Sequence, residues 1–442
     1  MKDAIALTFA GPFALFVGFG VLFYVFRVTG VDPIPMLTVI VLFSPIWLPF
    51  AMFFVTFDRW MESVRLKFED NSGRVTLRIK LPQEVFKSPE AMETVLSQTA
   101  NAGKATNLME AYIDGKYPLV QSFEIVSIGG DVRFYVNIPI SKAKNLIESQ
   151  LYSQYPGIEI VEEPIDYTAE IKWDPKTWDL MSFHFVKQGA SDVLPIKTYI
   201  DWGLDKLPKE EEKIEPMAPL IEYLGNAKPY ERVWIQILAT PHASMSFAHG
   251  NLFKKETWVK DAQKKIDELM GRNKDKTAPA EFEMQPRLTT SERDTISAIE
   301  RNTSKPAYEV AIRVLYAAHP DKFSGEMITA MLRAMANFEV VGRNKIGLGW
   351  RTDFDYKFLQ DRSGRRRTSF KKKELDYYKM RLYIPFEVKN GSDTTSVMSV
   401  EELATIYHIP GSSIVTPALS RVESLRRDAP SNLPIGTPTS WS

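Results

Sequence analysis

The chain has no cysteine and no net charge. Without thiols it has no disulfides, thiolate zinc sites, iron–sulfur clusters or cysteine nucleophiles. Its 55 Lys+Arg are balanced by 55 Asp+Glu over 442 residues. Overall charge therefore cannot hold a polyanion, and any such contact needs a local patch. Histidine is scarce: His184, His242, His249, His319 and His408 are all there are. Only His242 and His249 are near neighbours, and their spacing matches no metal motif. Pro241-His-Ala-Ser-Met-Ser246 offers a Ser/His pair without a third orienting group. A phosphate-binding loop is missing too. The nearest string, Gly271-Arg-Asn-Lys-Asp-Lys276-Thr277, lacks the second glycine and follows a helix, and Gly347-Leu-Gly349 reads as a loop. The expectation is a non-enzyme without metal or cofactor.

Charge is also missing from two long stretches. Ala4 to Phe26 and Ile34 to Phe57 hold 23 and 24 residues without one charged side chain. Each exceeds the ~20 residues that cross a bilayer as a helix, and a signal-peptide core runs only about 7–15. The connector Arg27–Pro33 carries one cation and one anion, whereas Arg59, Arg65, Lys67 and Arg74 follow the second stretch and Lys2 precedes the first. The positive-inside bias puts both termini in the cytoplasm. Residues 1–60 are thus expected to form a transmembrane helical hairpin (spans 4–26 and 34–57) in the bilayer of a bacterial inner membrane. With no charge inside the spans, an anchor fits better than a carrier.

The remainder reads as a membrane-anchored α+β protein. Over 61–165 the order is β-α-β-β-α-β, the ferredoxin-like α/β sandwich. Alternation at Val75, Leu77, Ile79 and Leu81 gives its first strand, and Gly129-Gly130-Asp131 its hairpin. A second α+β domain with insertions is expected over 166–395. Its predicted strands are 180–186, 196–200, 231–239 and 308–317, and its helices 216–224, 254–270, 289–301 and 325–336. A capping box, Thr289-Thr-Ser-Glu292, opens one helix. Residues 396–442 form a C-terminal segment whose own capping box is Ser399 with Glu402.

One polar feature rises above this background. Arg362, Arg365, Arg366, Arg367, Lys371, Lys372 and Lys373 place seven cations within twelve residues. Such a run suits the phosphates of DNA or anionic lipid, and equally suits a solvated loop.

The strings Ser399-Val-Glu-Glu-Leu-Ala-Thr-Ile-Tyr-His-Ile-Pro-Gly411, Val415-Thr-Pro-Ala-Leu419 and Ala429-Pro-Ser-Asn-Leu-Pro434 resemble the stretch ahead of the motor in membrane-anchored type IV secretion/conjugation ATPases of the HerA/FtsK superfamily. Upstream, Phe123–Pro139, Ser149–Ile160 and Glu231–Pro241 are similar to that family's N-terminal region. In that family a phosphate-binding loop and RecA-like core follow, and this sequence ends at Ser442 without them. The resemblance therefore implies the membrane and assembly half without the ATPase core. Both a stand-alone subunit and a truncated copy fit. The expected function is a non-catalytic inner-membrane docking scaffold for DNA or protein transfer, with a separately encoded RecA-like secretion ATPase as partner and a homo-oligomer as a further option. The alternatives are a membrane-surface nucleic-acid binder using 362–373 and a membrane-bound hydrolase.

Overall fold

The computed structural model describes residues 38, 41–82, 87–100, 105–140, 143–206, 214–244, 246–250, 257–271, 288–352, 361, 364–382, 395–411 and 419. Contacts divide the chain into two units, 1–66 and 67–442.

Helix α1 (Ser44–Ser72) carries most of the described part of the first unit. It corrects the expected transmembrane hairpin. Its uncharged part runs only from Ser44 to Phe57, 14 residues, before Asp58, Arg59 and Glu62 enter the same helix. At 1.5 Å per residue that is about 21 Å, short of the ~30 Å hydrocarbon core. No helix among the described residues is long and apolar enough to cross a membrane. The membrane-anchored fold class and the multi-pass inner-membrane placement are overturned with it. The other expected span, 4–26, lies outside the described residues.

In the second unit, β1 (Arg74–Lys80), α2 (Glu90–Thr99), the short α3 (Leu108–Tyr112), β2 (Gln121–Ile128), β3 (Asp131–Pro139), α4 (Ala143–Gln154) and β4 (Glu159–Glu162) follow in order. The strands lie side by side as β4-β1-β3-β2, all antiparallel. Gly129 and Gly130 turn the β2–β3 hairpin at φ +62° and +94°, a left-handed pair that L side chains resist. A Cβ on Gly129 would also meet the Pro229 Cα at 2.9 Å.

The next stretch repeats this plan. It contains β5 (Asp179–Gln188), α5 (Ala218–Gly225), β6 (Arg232–Pro241), the inserted α6 (Val259–Leu269) and α7 (Thr290–Thr303), β7 (Ala307–Ala318), α8 (Gly325–Met335) and β8 (Lys345–Arg351). Its strands lie as β6-β7-β5-β8. Corresponding strands thus take corresponding places, and the two halves meet where β2 pairs antiparallel with β6, from Gln121 opposite Ala239 to Ile128 opposite Arg232. The result is one continuous sheet of eight strands. Beyond it come α9 (Arg365–Met380), β9 (Ser396–Ser399), which adds a ninth strand beside the start of β7, and α10 (Val400–Ile406).

The expected strand at 196–200 is irregular instead. Its amides leave the ladder for other acceptors: Ile196 N–H donates to Glu402, Lys197 N–H to the Phe338 carbonyl and Tyr199 N–H to the Thr405 hydroxyl.

The two sheet faces differ. On one, Ile160, Ile79, Phe134, Ile125, Ile235, Val314 and Phe183 form a row across seven strands. Helices α2, α4, α5 and α8 bury Val95, Leu96, Ile147, Leu151, Ile221, Leu224 and Met331 into the same core. Each such side chain contributes about 1.5–3 kcal/mol. Helix α10 closes this face. It packs on α2, and the following Tyr407 sets its ring 5.1 Å from Phe123 and 6.0 Å from Phe134, donating its hydroxyl to the Tyr135 carbonyl. From the same segment, His408 Nε2 reaches Glu215, just ahead of α5, at 2.5 Å. The C-terminal segment therefore ties the first half to the second.

Candidate nucleic-acid interface

The second face carries a polar row. Val161, Arg78, Tyr135, Glu124, Gln236, Arg313, His184 and Trp350 stand opposite one another, one per strand from β4 to β8. Most are buried, so their polar atoms need partners. Helix α9 and residues 166–171 supply them.

Helix α9 holds six of the seven cations of the basic run. Gly364, at φ +67°, leads into it, and Asp361 caps it by accepting the Arg367 and Arg366 amides at 2.9 and 3.1 Å. Desolvation pushes the Asp361 carboxyl up, yet the two amides hold it below its ordinary range. This cap offsets an unfavourable start. Arg365, Arg366 and Arg367 occupy the first turn, at the positive end of the helix dipole, where each cation costs about 0.3–1 kcal/mol.

The inner side of α9 locks onto the polar row. Leu375 and Tyr378 are fully buried beside Trp234, whose ring lies 5.4 Å from that of Tyr378. Glu374 accepts from His184 Nε2 at 2.7 Å and from the Ser182 hydroxyl at 3.1 Å, and Arg313 Nε stands 3.8 Å away. Burial pushes the Glu374 carboxyl up, but His184 and Arg313 pull it below its ordinary value. Burial also lowers His184, against the pull of Glu374. Lys371 pairs with Asp179 at 2.7 Å, and Lys379 Nζ donates to the Ile171 carbonyl at 2.6 Å.

Just past the helix, Arg381 pairs with Glu124 at 3.0 Å and with Asp166 at 2.6 Å. Glu124 also accepts from the Ser122, Tyr167 and Gln236 side chains at 2.6, 2.7 and 3.2 Å. The Tyr167 hydroxyl meets that of Tyr378 at 2.9 Å, and burial raises both phenols well above their usual range. Burial alone would lower the Arg381 guanidinium, but Glu124, Tyr167 and Asp166 raise it.

The outer side of α9 is different. Arg365, Arg366 and Lys372 are exposed and Lys373 is half-buried, and the four share one arc with the exposed Ser369 and Asp376. The Arg366 and Lys373 cations lie 5.7 and 5.9 Å from the Phe370 ring centre, and Phe370 rests edge-on against Trp350 at 6.3 Å. Of the predicted site residues, the structure therefore brings Arg365, Arg366, Lys372 and Lys373 together. Arg367 and Lys371 lie nearer the body, and Arg362 lies outside the described residues. The arc has the chemistry to take a phosphate-bearing polymer: four cations at a fixed spacing on a rigid rod.

The other sequence candidates scatter. His242 pairs with Glu309 at 3.2 Å, His249 with Ser246 at 2.9 Å, and His408 with Glu215. No group of three or more His, Asp or Glu among the described residues is arranged to hold a metal. Gly271 ends α6 at φ +68°, with 272–277 outside the described residues. Gly347 and Gly349, read from sequence as a loop, lie in strand β8.

Sequence reasoning missed Glu124, Asp166, His184, Arg313, Glu374 and Arg381 as a connected set. For Glu124, Arg313 and His184 the signal was a charged or titratable residue flanked by apolar ones within a strand, which aligns only once the register is known. Asp166, Glu374 and Arg381 lie off the strands and carried no such signal.

The family described as Domain of unknown function (DUF8128) matches residues 65–422. The chain belongs to this family. The match spans β1 through α10, both halves of the sheet and helix α9. None of the curated proteins compared matches the chain.

Proposed function

We propose that this DUF8128 protein is a non-catalytic docking scaffold in a machine that transfers nucleic acid, and that it holds the phosphate backbone on the outer arc of α9. The observation that carries this reading is the arc itself. Arg365, Arg366, Lys372 and Lys373 share the solvent side of a helix whose other side is locked to the sheet through Lys371, Glu374, Tyr378 and Arg381. Arginines in a first helical turn oppose helix formation, so stabilising α9 does not account for them. Prepositioned cations lose less side-chain and backbone entropy on meeting a strand than cations on a loose tail.

Fluorescence anisotropy with a labelled oligonucleotide tests this. The wild-type chain should bind at low salt, and the Arg365→Ser, Arg366→Ser, Lys372→Gln, Lys373→Gln variant should lose binding while keeping its far-UV spectrum. Equal binding by the two would sink the proposal.

A separately encoded RecA-like ATPase is the second partner. Its support is the resemblance of Ser399–Gly411 to the stretch ahead of secretion ATPase cores, together with the place of that segment between α2 and Glu215, where it touches both halves. Affinity purification from the native host should recover such an ATPase; recovery of the chain without any nucleotide-binding motor counts against the pairing.

A further inference from the structure

Ser369 sits at the centre of the cationic arc. Arg365 and Arg366 precede it by four and three residues on α9, and Lys372 and Lys373 follow it by three and four. On an α-helix these four positions are the nearest side-chain neighbours of residue 369. The small exposed residue is therefore ringed by four cations, with Asp376 seven residues on as the acidic group of the same arc.

The neighbouring hydroxyls are occupied or removed from the arc. Thr368 donates to the Gly364 carbonyl at 2.9 Å, whereas the Ser369 hydroxyl makes no hydrogen bond within the described chain.

We propose that Ser369 is a phosphorylation site and that its phosphate is clasped by Arg365, Arg366, Lys372 and Lys373. The phosphoryl donor is a nucleoside triphosphate held by a separate kinase that selects serine behind paired arginines. Ser369 Oγ forms a bond to the γ-phosphorus as the bond from that phosphorus to the β–γ bridging oxygen breaks. The hydroxyl proton passes to the kinase's general base, and the nucleoside diphosphate leaves. The product carries about two negative charges at neutral pH, and ion pairs at three and four residues' distance favour the helical state of α9. Resting on the nucleic-acid reading above, the same phosphate fills the arc from within and makes modification weaken backbone binding.

The test treats the full chain with a kinase selective for serines that follow arginines, with ATP, and maps the phosphate by mass spectrometry. Ser369→Ala serves as the control; the exposed residue has no packing role to lose. Phosphorus NMR then follows the second phosphate ionisation. It should occur at lower pH in the folded phosphoprotein than in the same phosphoprotein unfolded in urea, because the four cations favour the dianion. The salt dependence of oligonucleotide binding should weaken by about two counterions. No phosphate on Ser369, or an ionisation identical in the folded and unfolded chains, overturns the proposal. A clasped phosphate in a chain that binds no oligonucleotide before treatment upholds the site and overturns the nucleic-acid reading instead.

Discussion

Arg381, at φ +53°, is the one described non-glycine residue with a positive φ, and its Nε donates to Glu124 Oε1 at 3.0 Å across 257 residues of sequence. A left-handed arginine is a strained way to end a helix. Here the conformation turns the chain out of α9 and drives the guanidinium between Glu124 and Asp166. The pair fixes where α9 stops and so how its cationic side is presented.

Removing one partner should leave a buried charge alone. Glu124→Gln is expected to destabilise the chain by about 3–5 kcal/mol in urea unfolding. Glu124→Gln combined with Arg381→Gln should cost less than the sum of the two single changes. Strictly additive losses would mean that the pair is not what holds this junction.

Acid should loosen the mounting of α9. The Glu374 and Asp166 carboxyls are depressed from 4.5 and 3.8. Their stabilisation is present above those values and is lost as pH falls through the lower folded-state values. His184 is depressed from 6.5, so the unfolded chain binds its proton first and stability falls as pH drops below that point. Stability should therefore decline in two stages on acidification, and His184→Gln should remove the upper one. An unchanged upper limb in that variant would assign the stage to another group.

The C-terminal segment makes a separate prediction. Lys187 and Glu402 pair at 2.8 Å with both side chains fully buried, and Glu402 also accepts the Ile196 and Ser399 amides. Glu402→Gln should cost about 3–5 kcal/mol, and Tyr407→Ala a similar amount through the cavity it leaves against Phe123 and Phe134. Native-state proteolysis of Tyr407→Ala should cut near α10 first; cleavage elsewhere would argue against a closing role for this segment.

Gly129→Ala tests the hairpin. At φ +62° with Pro229 Cα 2.9 Å from the new Cβ, the substitution should cost more than about 1 kcal/mol, whereas Gly203→Ala, at φ +71° in open space, carries only the backbone cost.

Local features of the fold were legible in sequence. Alternation gave β1, β6 and β7 almost to the residue, and both capping boxes, Thr289 with Glu292 and Ser399 with Glu402, form as their spacing requires. The uncharged run before Asp58 misled, because freedom from charge does not set where a helix begins or which charged residues it goes on to include. The irregular 196–200 was hidden because its acceptors, Glu402 and Thr405, come two hundred residues later. The basic run was visible as seven cations, but its division into an outer arc and inner anchors depends on the buried row of Glu124, Arg313 and His184. Only strand register reveals that row.

The most direct test of the account is the slope of oligonucleotide affinity against salt. Four arc cations on duplex DNA predict a log–log slope of about −3 to −4, falling by about one for each of Arg365, Arg366, Lys372 and Lys373 removed. A slope unchanged when all four are replaced, in a chain that still folds, would contradict it.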